Sequence, residues 1–424
     1  MAGEINFTAS LHRPAYQAMP TPQQAYILLE AMPTAAAPGT GAQSVNFSLV
    51  LDRSGSMAGE KLRHMKAAAK LVVDRLSPQD MLSVVVFDDA EPADLVVPSE
   101  LVQDRTAIKN RIDSIQERGG THMSTGMQIG LAQLQNGKTP DRVSSMLLLT
   151  DGQTWEDEQA CRDLADQCRS AGIPINVLGL GTGAESNWDP RLLEDLAQRS
   201  GGEWMPIETP EQVSAVFEQT LQAMQGTAVT NAQLTMRLVE GVTPRSVWRV
   251  APLISRLGHQ AVTTHDIQVF LGDVQHGIGQ SILADLLLPP RQAGTYRLLQ
   301  ADITYDVPGS GLSEQKVDID VIVPFSDDST LARQTNARLM NIIERVVAHK
   351  LQTQALDEAA AGDVQRATQR LRAAATRLLE LGEDDMAQQA NQQAEQIEQS
   401  GQMDPAAAQK MRYKTKRLTE SDLE

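Results

Sequence analysis

The stretch VNFSLVLDRSGSM, residues 45–57, decides the fold of this chain. It begins as a mainly apolar run, which is typical of a strand buried on both faces of a parallel sheet. The run ends at Asp52, and GEKLRHMKAAAKLVVDRL (59–76) then repeats apolar residues at helical spacing. The sequence therefore predicts a strand, a tight polar turn and a helix, in that order.

Strand and helix signals keep alternating as far as residue 226. Further strands are predicted at MLSVVVFD (81–88), SSMLLLTD (144–151) and IPINVLGLG (173–181), with amphipathic helices between them. This pattern is typical of an open, doubly wound, Rossmann-like α/β domain, whose mainly parallel sheet is covered by helices on both faces. Ligands on such sheets bind beyond the carboxyl ends of the strands.

Both flanks of the α/β segment alternate apolar and polar residues with a period of two. Six such strands, divided by Gly, Pro and Asp turns, are predicted across 227–326, which favours an antiparallel β-sandwich. Residues 1–43 show the same alternation. We therefore expect these N-terminal strands to join the sandwich, so that the α/β domain of residues 44–226 is an insertion between its parts.

The remaining chain is predicted to be helical and then mobile. Residues 327–403 are rich in Ala, Leu, Gln, Arg and Glu at helical spacing, which predicts a region of two or three antiparallel helices. Asp363 is the expected N-cap of one helix, which ends at Gly382. Residues 404–424 form a basic cluster followed by acids, and we expect a mobile C-terminal tail there.

Composition limits the classes of function. The 424 residues include 37 Lys and Arg against 54 Asp and Glu, so the formal net charge is −17. This acidity argues against a nucleic-acid-binding surface, because phosphate groups are repelled. Aromatic residues make up only 4% of the chain, which disfavours platforms for stacked bases. A cation or a basic partner is favoured instead.

The compartment is predicted from targeting signals and cysteines. The first twenty residues contain no apolar stretch of signal-peptide length, and no run approaches the roughly 18 apolar residues of a membrane span. Cys161 and Cys168 lie on one predicted helix, with Cα atoms about 10 Å apart, which is beyond disulfide reach. These observations predict a cytoplasmic protein with free thiols and no membrane span.

Oxygen-bearing side chains follow three predicted strands and loops of the α/β domain. Asp52, Ser54 and Ser56 alternate in one turn, Thr121 follows two glycines in another loop, and Asp151 ends a neighbouring strand. Carboxylate and hydroxyl oxygens suit Mg²⁺, and Mn²⁺ or Ca²⁺ less selectively. The alternative is that the two serines only cap the following helix while Asp52 closes the turn.

These residues resemble the metal-ion-dependent adhesion site of the von Willebrand factor A family. The three pieces of that motif are DRSGS (52–56), GGTHMSTGM (119–127) and LLLTDGQ (147–153). The resemblance implies that Asp52, Ser54, Ser56 and Thr121 ligate a divalent cation directly or through water, and that Asp151 acts through water. It also implies one open coordination position, which an Asp or Glu carboxylate of a protein partner fills.

The predicted function is metal-dependent protein–protein binding by an intracellular scaffold or regulatory component. An enzyme is not predicted, since the chain contains neither paired metal-binding histidines nor a G-x-S-x-G or P-loop motif. One alternative is an accessory subunit of an ATPase complex, which some intracellular members of the family serve. Another is a signalling adaptor that uses phosphorylation of Thr415 and Thr419 in the C-terminal tail.

Overall fold

The computed structural model describes residues 3–34, 43–152, 154, 156–181, 189–258, 260–261, 263, 265–401 and 403–418. Three strands come first in the chain: β1 (Ile5–Leu11), β2 (Tyr16–Gln17) and β3 (Gln23–Pro33). β1 and β3 pair in antiparallel register from Ile5 opposite Pro33 to Leu11 opposite Ile27. This hairpin precedes the α/β domain.

The α/β domain contains one six-stranded sheet. Its strands are β4 (Ser44–Asp52), β5 (Met81–Phe87), β6 (Asp94–Leu101), β7 (Arg142–Thr150), β8 (Ile175–Leu180) and β9 (Trp204–Ile207). They lie in the order β6-β5-β4-β7-β8-β9, and every pairing is parallel except that of β5 with β6. Such an order, with β4 in the centre, is that of a doubly wound sheet.

Helices cover both faces of this sheet. The helices are α1 (Glu60–Arg75), α2 (Arg105–Asp113), α3 (Met123–Gly137), α4 (Glu158–Ser170), α5 (Pro190–Ser200) and α6 (Val213–Gln225). Phe47, Leu49 and Leu51 of β4 share an apolar core with α1, α2 and α6, whereas Val50 shares a second core with α3, α4 and α5. The predicted α/β fold class is therefore confirmed. Cys161 and Cys168 on α4 are free, as predicted, and both are buried.

A β-sandwich follows the α/β domain along the chain. Its further strands are β10 (Thr227–Leu238), β11 (Thr243–Ala251), β12 (Ser255–Leu257), β13 (Gln260–Ala261), β14 (Asp266–Gln275), β15 (Gln280–Leu288), β16 (Gly294–Val307) and β17 (Leu312–Ser326). The two sheets have the orders β1-β3-β15-β11-β12 and β13-β14-β10-β16-β17-β2. The N-terminal strands thus complete the sandwich, and the two sheets enclose one apolar core.

The C-terminal region is helical. Its helices are α7 (Ser329–Arg333), α8 (Ala337–Ala360), α9 (Val364–Glu380), α10 (Asp384–Ser400) and α11 (Pro405–Lys416). The Asp363 carboxylate caps α9 by accepting from Arg366 N at 3.1 Å, and the chain leaves this helix through Gly382 at a φ of 78°. Both ends of α9 lie close to where the sequence predicts them, because a side-chain cap and a left-handed glycine are local signals.

The expectation of a mobile C-terminal tail is wrong for residues 404–418. Thr415 on α11 is buried, its Oγ1 lies 2.9 Å from His349 Nδ1, and it also donates to Arg412 O at 3.1 Å. A phosphate group has no room at this position, so the predicted exposure of Thr415 for phosphorylation is also wrong. Thr419 lies outside the described residues.

Charge pairing explains why the basic segment packs against the protein. Lys416 Nζ lies 2.5 Å from Glu194 Oε1, and Arg412 Nη1 lies 2.9 Å from Glu194 Oε2. Lys416 also lies 5.0 Å from the centre of the Trp204 ring, a cation–π arrangement. The basic residues thus attach α11 to α5 and β9 of the α/β domain. No helix in the described part of the chain has the length and apolarity that a membrane crossing needs.

Candidate metal-binding site

Five predicted site residues lie together at the carboxyl edge of the α/β sheet; we call Asp52, Ser54, Ser56, Thr121 and Asp151 the strand-end cluster. Asp52 ends β4, and Asp151 directly follows the neighbouring parallel strand β7. Both serines lie in the turn before α1, and Thr121 lies in the loop before α3. Parallel strands bring their carboxyl ends to one edge, which explains the proximity of residues far apart in sequence.

Hydrogen bonds connect four members of the strand-end cluster. Asp52 Oδ1 accepts from Ser54 N at 2.8 Å. Ser54 Oγ and Ser56 Oγ lie 3.0 Å apart, and Ser56 Oγ donates to Asp151 Oδ1 at 2.7 Å. Oxygens from the ends of β4 and β7 and from the turn after β4 therefore form one hydrogen-bonded group.

Gly152 shows how closely Thr121 approaches the other members. A methyl group at Gly152 would lie 3.4 Å from Thr121 Oγ1, 3.8 Å from Ser56 Oγ and 3.9 Å from Asp52 Oδ2. Oxygens of the segment 52–56 and of the Thr121 loop thus converge on one point beside the Gly152 backbone. A side chain there would fill the space between these oxygens.

Close packing of α3 and a backbone hydrogen bond in the preceding loop position Thr121. A Cβ at Gly126 would come 2.7 Å from Phe87 Cδ1, and one at Gly130 would come 2.6 Å from Val50 Cγ2, so only glycine lets α3 lie this near the sheet. Before the helix, Gly55 N donates to Gly119 O at 3.0 Å, which ties the Thr121 loop to the serine turn.

The Asp52 carboxylate is fully buried, yet its hydrogen-bond donors are neutral. Besides Ser54 N, Thr150 Oγ1 donates to Asp52 Oδ2 at 2.7 Å. Burial raises the pKa of Asp52 to about 6, although hydrogen bonds from Thr150 and Ser54 favour the charged form. A buried carboxylate of this kind is stabilised by a neighbouring cation.

The oxygen ligands of the strand-end cluster fit a hard divalent cation. They belong to two carboxylates and three hydroxyls, and magnesium, manganese and calcium prefer such oxygen ligands. The capping interpretation of the serines does not fit, because Ser54 makes no side-chain cap and α1 begins only after Gly59. Ser56 is exposed, so the cluster also opens to solvent.

Two residues that the sequence does not indicate as site residues contact the cluster, and a third ties its turn to a neighbouring strand. Thr150 donates a hydrogen bond to the Asp52 carboxylate. The sequence signal for Thr150 is a polar residue at the end of the apolar run LLLTD. Lys61 Nζ lies 2.5 Å from Asp151 Oδ2. Arg53 Nε donates to Asp88 Oδ2 at 2.7 Å, which joins the turn after β4 to the end of β5. The last two contacts are long-range and leave no periodic signal.

Comparisons with known proteins agree with this architecture. Residues 46–219 match the von Willebrand factor type A domain, and residues 337–421 match the Sll0103-like, C-terminal alpha-helical domain. The structure is similar to a von Willebrand factor type A protein from Catenulispora acidiphila, with a TM-score of 0.79 and 20% sequence identity. That alignment covers 98% of this chain and 97% of the other, and it concerns the fold.

Two relatives share parts of the sequence. Protein sll0103 of Synechocystis sp. is 32% identical over 270 residues, which are 63% of this chain and 63% of that protein. Inter-alpha-trypsin inhibitor heavy chain H3 of Pongo abelii is 28% identical over 168 residues, or 37% of this chain and 18% of that protein. The chain thus spans less than two thirds of the length of either relative. The matches and the sheet topology together identify residues 46–219 as a von Willebrand factor type A domain, followed by an Sll0103-like C-terminal helical domain.

Proposed function

We propose that this chain binds a protein partner through a metal-ion-dependent adhesion site formed by the strand-end cluster. Asp52, Ser54, Ser56 and Thr121 hold a divalent cation directly or through water, and Asp151 acts through water. Mg²⁺ is the expected ion, with Mn²⁺ and Ca²⁺ as alternatives. The observation that carries the proposal is the buried Asp52 carboxylate, which faces converging oxygens and contacts neutral donors.

The balance of charged and neutral ligands suggests how a partner is recognised. Three of the five ligand side chains are neutral hydroxyls, so a bound divalent ion keeps residual positive charge that attracts an anionic ligand. Ser56 and the adjoining Gly55 are exposed at the same edge, which gives a partner access to the cluster. An Asp or Glu carboxylate on the partner is the matching group.

The family supports binding as the role of this domain. Von Willebrand factor type A domains commonly bind other proteins. Within this proposal the chain serves as a scaffold or regulatory component and not as an enzyme. Its cytoplasmic location stays a prediction.

Partner capture is expected to require both the ion and Asp52. The immobilised chain should retain one or more proteins from native lysate in Mg²⁺ and release them in EDTA. A column that carries the immobilised Asp52→Asn variant should retain none of these proteins in either buffer, because the Asp52 carboxylate that ligates the ion is missing. Quantitative mass spectrometry of the eluates measures the difference. Retention of the same proteins by the wild type in EDTA, or by the Asp52→Asn variant in Mg²⁺, would reject a metal-bridged contact.

A further inference from the structure

Lys61 places a positive charge on one of the proposed metal ligands. It is the second residue of α1, and its Nζ lies 2.5 Å from Asp151 Oδ2. The Asp151 side chain is 0% exposed, whereas that of Lys61 is 24% exposed. The other oxygen of Asp151 accepts from Ser56 Oγ at 2.7 Å. Both carboxylate oxygens of Asp151 are therefore engaged by residues of this chain.

The position is unusual for a lysine on electrostatic grounds. The first turn of a helix carries partial positive charge, so an ammonium group there is disfavoured unless an acid compensates it. Lysines further along α1 contact a different segment: Lys66 Nζ donates to Asp113 O and Ile115 O, and Lys70 pairs with Asp113. Among the lysines of α1, Lys61 is thus the one that contacts the strand-end cluster.

The two carboxylates of the cluster are neutralised unequally. Asp52 contacts the neutral donors Ser54 N and Thr150 Oγ1, while Asp151 has the Lys61 ammonium. A divalent cation that enters the cluster is attracted by both carboxylates and repelled by this ammonium. The lysine side chain is long, flexible and partly exposed, so it can leave Asp151 for solvent when an ion arrives.

We propose that Lys61 is a tethered competing cation of the strand-end cluster. It neutralises Asp151 in the metal-free protein and lowers the affinity of the cluster for a divalent ion, so that ion binding is weaker and more readily reversed. This inference rests on the proposed function, because it assumes that the cluster binds the ion. It also makes Lys61 a positioning residue for Asp151 and not a metal ligand.

Replacing Lys61 by methionine tests this inference on the full chain. Lys61→Met is expected to bind Mg²⁺ about tenfold more tightly than the wild type, as measured by isothermal titration calorimetry, because the competing charge is gone. In EDTA the same variant should unfold at a lower temperature, since the buried Asp151 carboxylate loses its counter-charge. The variant should therefore show a larger rise in melting temperature on addition of Mg²⁺.

Two further variants separate charge from shape. Lys61→Arg keeps the positive charge and should bind Mg²⁺ about as weakly as the wild type. Lys70→Met removes a lysine from the same helix but away from the cluster, and it should leave the affinity unchanged. The melting curve in EDTA shows whether each variant is folded.

The outcomes distinguish this inference from the proposed function. If the wild type binds Mg²⁺ and Lys61→Met binds it equally or more weakly, the inference is overturned while the proposed function stands. Binding by Lys61→Met without detectable binding by the wild type supports the inference in its strongest form. If none of the proteins binds Mg²⁺, Mn²⁺ or Ca²⁺, the proposed function fails and the inference fails with it.

Discussion

Replacement of Asp52 by asparagine is expected to abolish the stabilisation that Mg²⁺ gives to the wild-type protein. At about one hundred times its Kd, an ion that binds only the folded state stabilises it by about 2.7 kcal/mol. Asparagine keeps the shape of Asp52 and one acceptor oxygen but removes the buried charge that attracts the ion. Thermal unfolding in Mg²⁺ and in EDTA, followed by circular dichroism, measures the loss.

Asp80 provides a matched control at the opposite end of the same sheet. It is also buried and accepts two backbone hydrogen bonds, from Val45 N at 2.9 Å and from Ser77 N at 2.6 Å. Asp80→Asn is therefore expected to retain the full Mg²⁺-dependent rise in melting temperature. If Asp52→Asn keeps the same rise, the strand-end cluster is not where the ion binds.

Replacement of Glu194 by alanine is expected to cost about 3–5 kcal/mol of stability, the typical effect of breaking a buried ion pair. Glu194 contacts Lys416 and Arg412, and the three side chains are 15%, 7% and 10% exposed respectively. Burial raises the pKa of Glu194, but these two cations outweigh burial and hold the pKa below its usual value. Alanine would leave both buried cations without this carboxylate.

The loss should be concentrated where α11 meets the α/β domain. Hydrogen exchange is expected to show faster exchange in α11 of Glu194→Ala, and urea unfolding measures the total cost. Because the folded-state pKa of Glu194 is depressed, its stabilisation is present at neutral pH and is lost as the pH falls below the usual pKa of glutamate.

An exposed ion pair serves as the control for Glu194. The Arg372 and Glu398 side chains pair at 2.8 Å but are 57% and 43% exposed. Glu398→Ala is expected to cost at most about 1 kcal/mol, since water screens such pairs. Equal costs for the two variants would show that Glu194 does not hold α11 in place.

Local signals made the centre of the molecule predictable. A short sequence predicts strand β4, the turn after it and helix α1. In this sequence a continuous apolar run gives way once to apolar residues at helical spacing. Asp52, Ser54 and Ser56 lie together because they share that turn. Asp151 joins them because parallel strands present their carboxyl ends at one edge, a rule that needs only the order of elements. Thr121 lies in the loop before α3, and the bond from Gly55 N to Gly119 O ties that loop to the serine turn.

Elements with weak periodicity were missed. β6 is an edge strand with a mixed pattern of exposed and buried residues and contains Pro98, and β9 has only four residues. The sequence predicts a mobile tail where α11 lies, because the basic residues of α11 find their acidic partner more than 200 positions earlier in the chain. Such contacts follow from tertiary packing, as does the contact of Lys61 with Asp151.

The most direct test of the proposed metal site is the position of a bound ion. A crystal of the full chain grown with Mn²⁺, measured at a wavelength where manganese scatters anomalously, locates the ion without reference to activity. We expect an anomalous peak within coordination distance of the Asp52, Ser54, Ser56 or Thr121 oxygens, directly or through one water. A map with no peak at the strand-end cluster, at a Mn²⁺ concentration that saturates binding in solution, would contradict the proposed site.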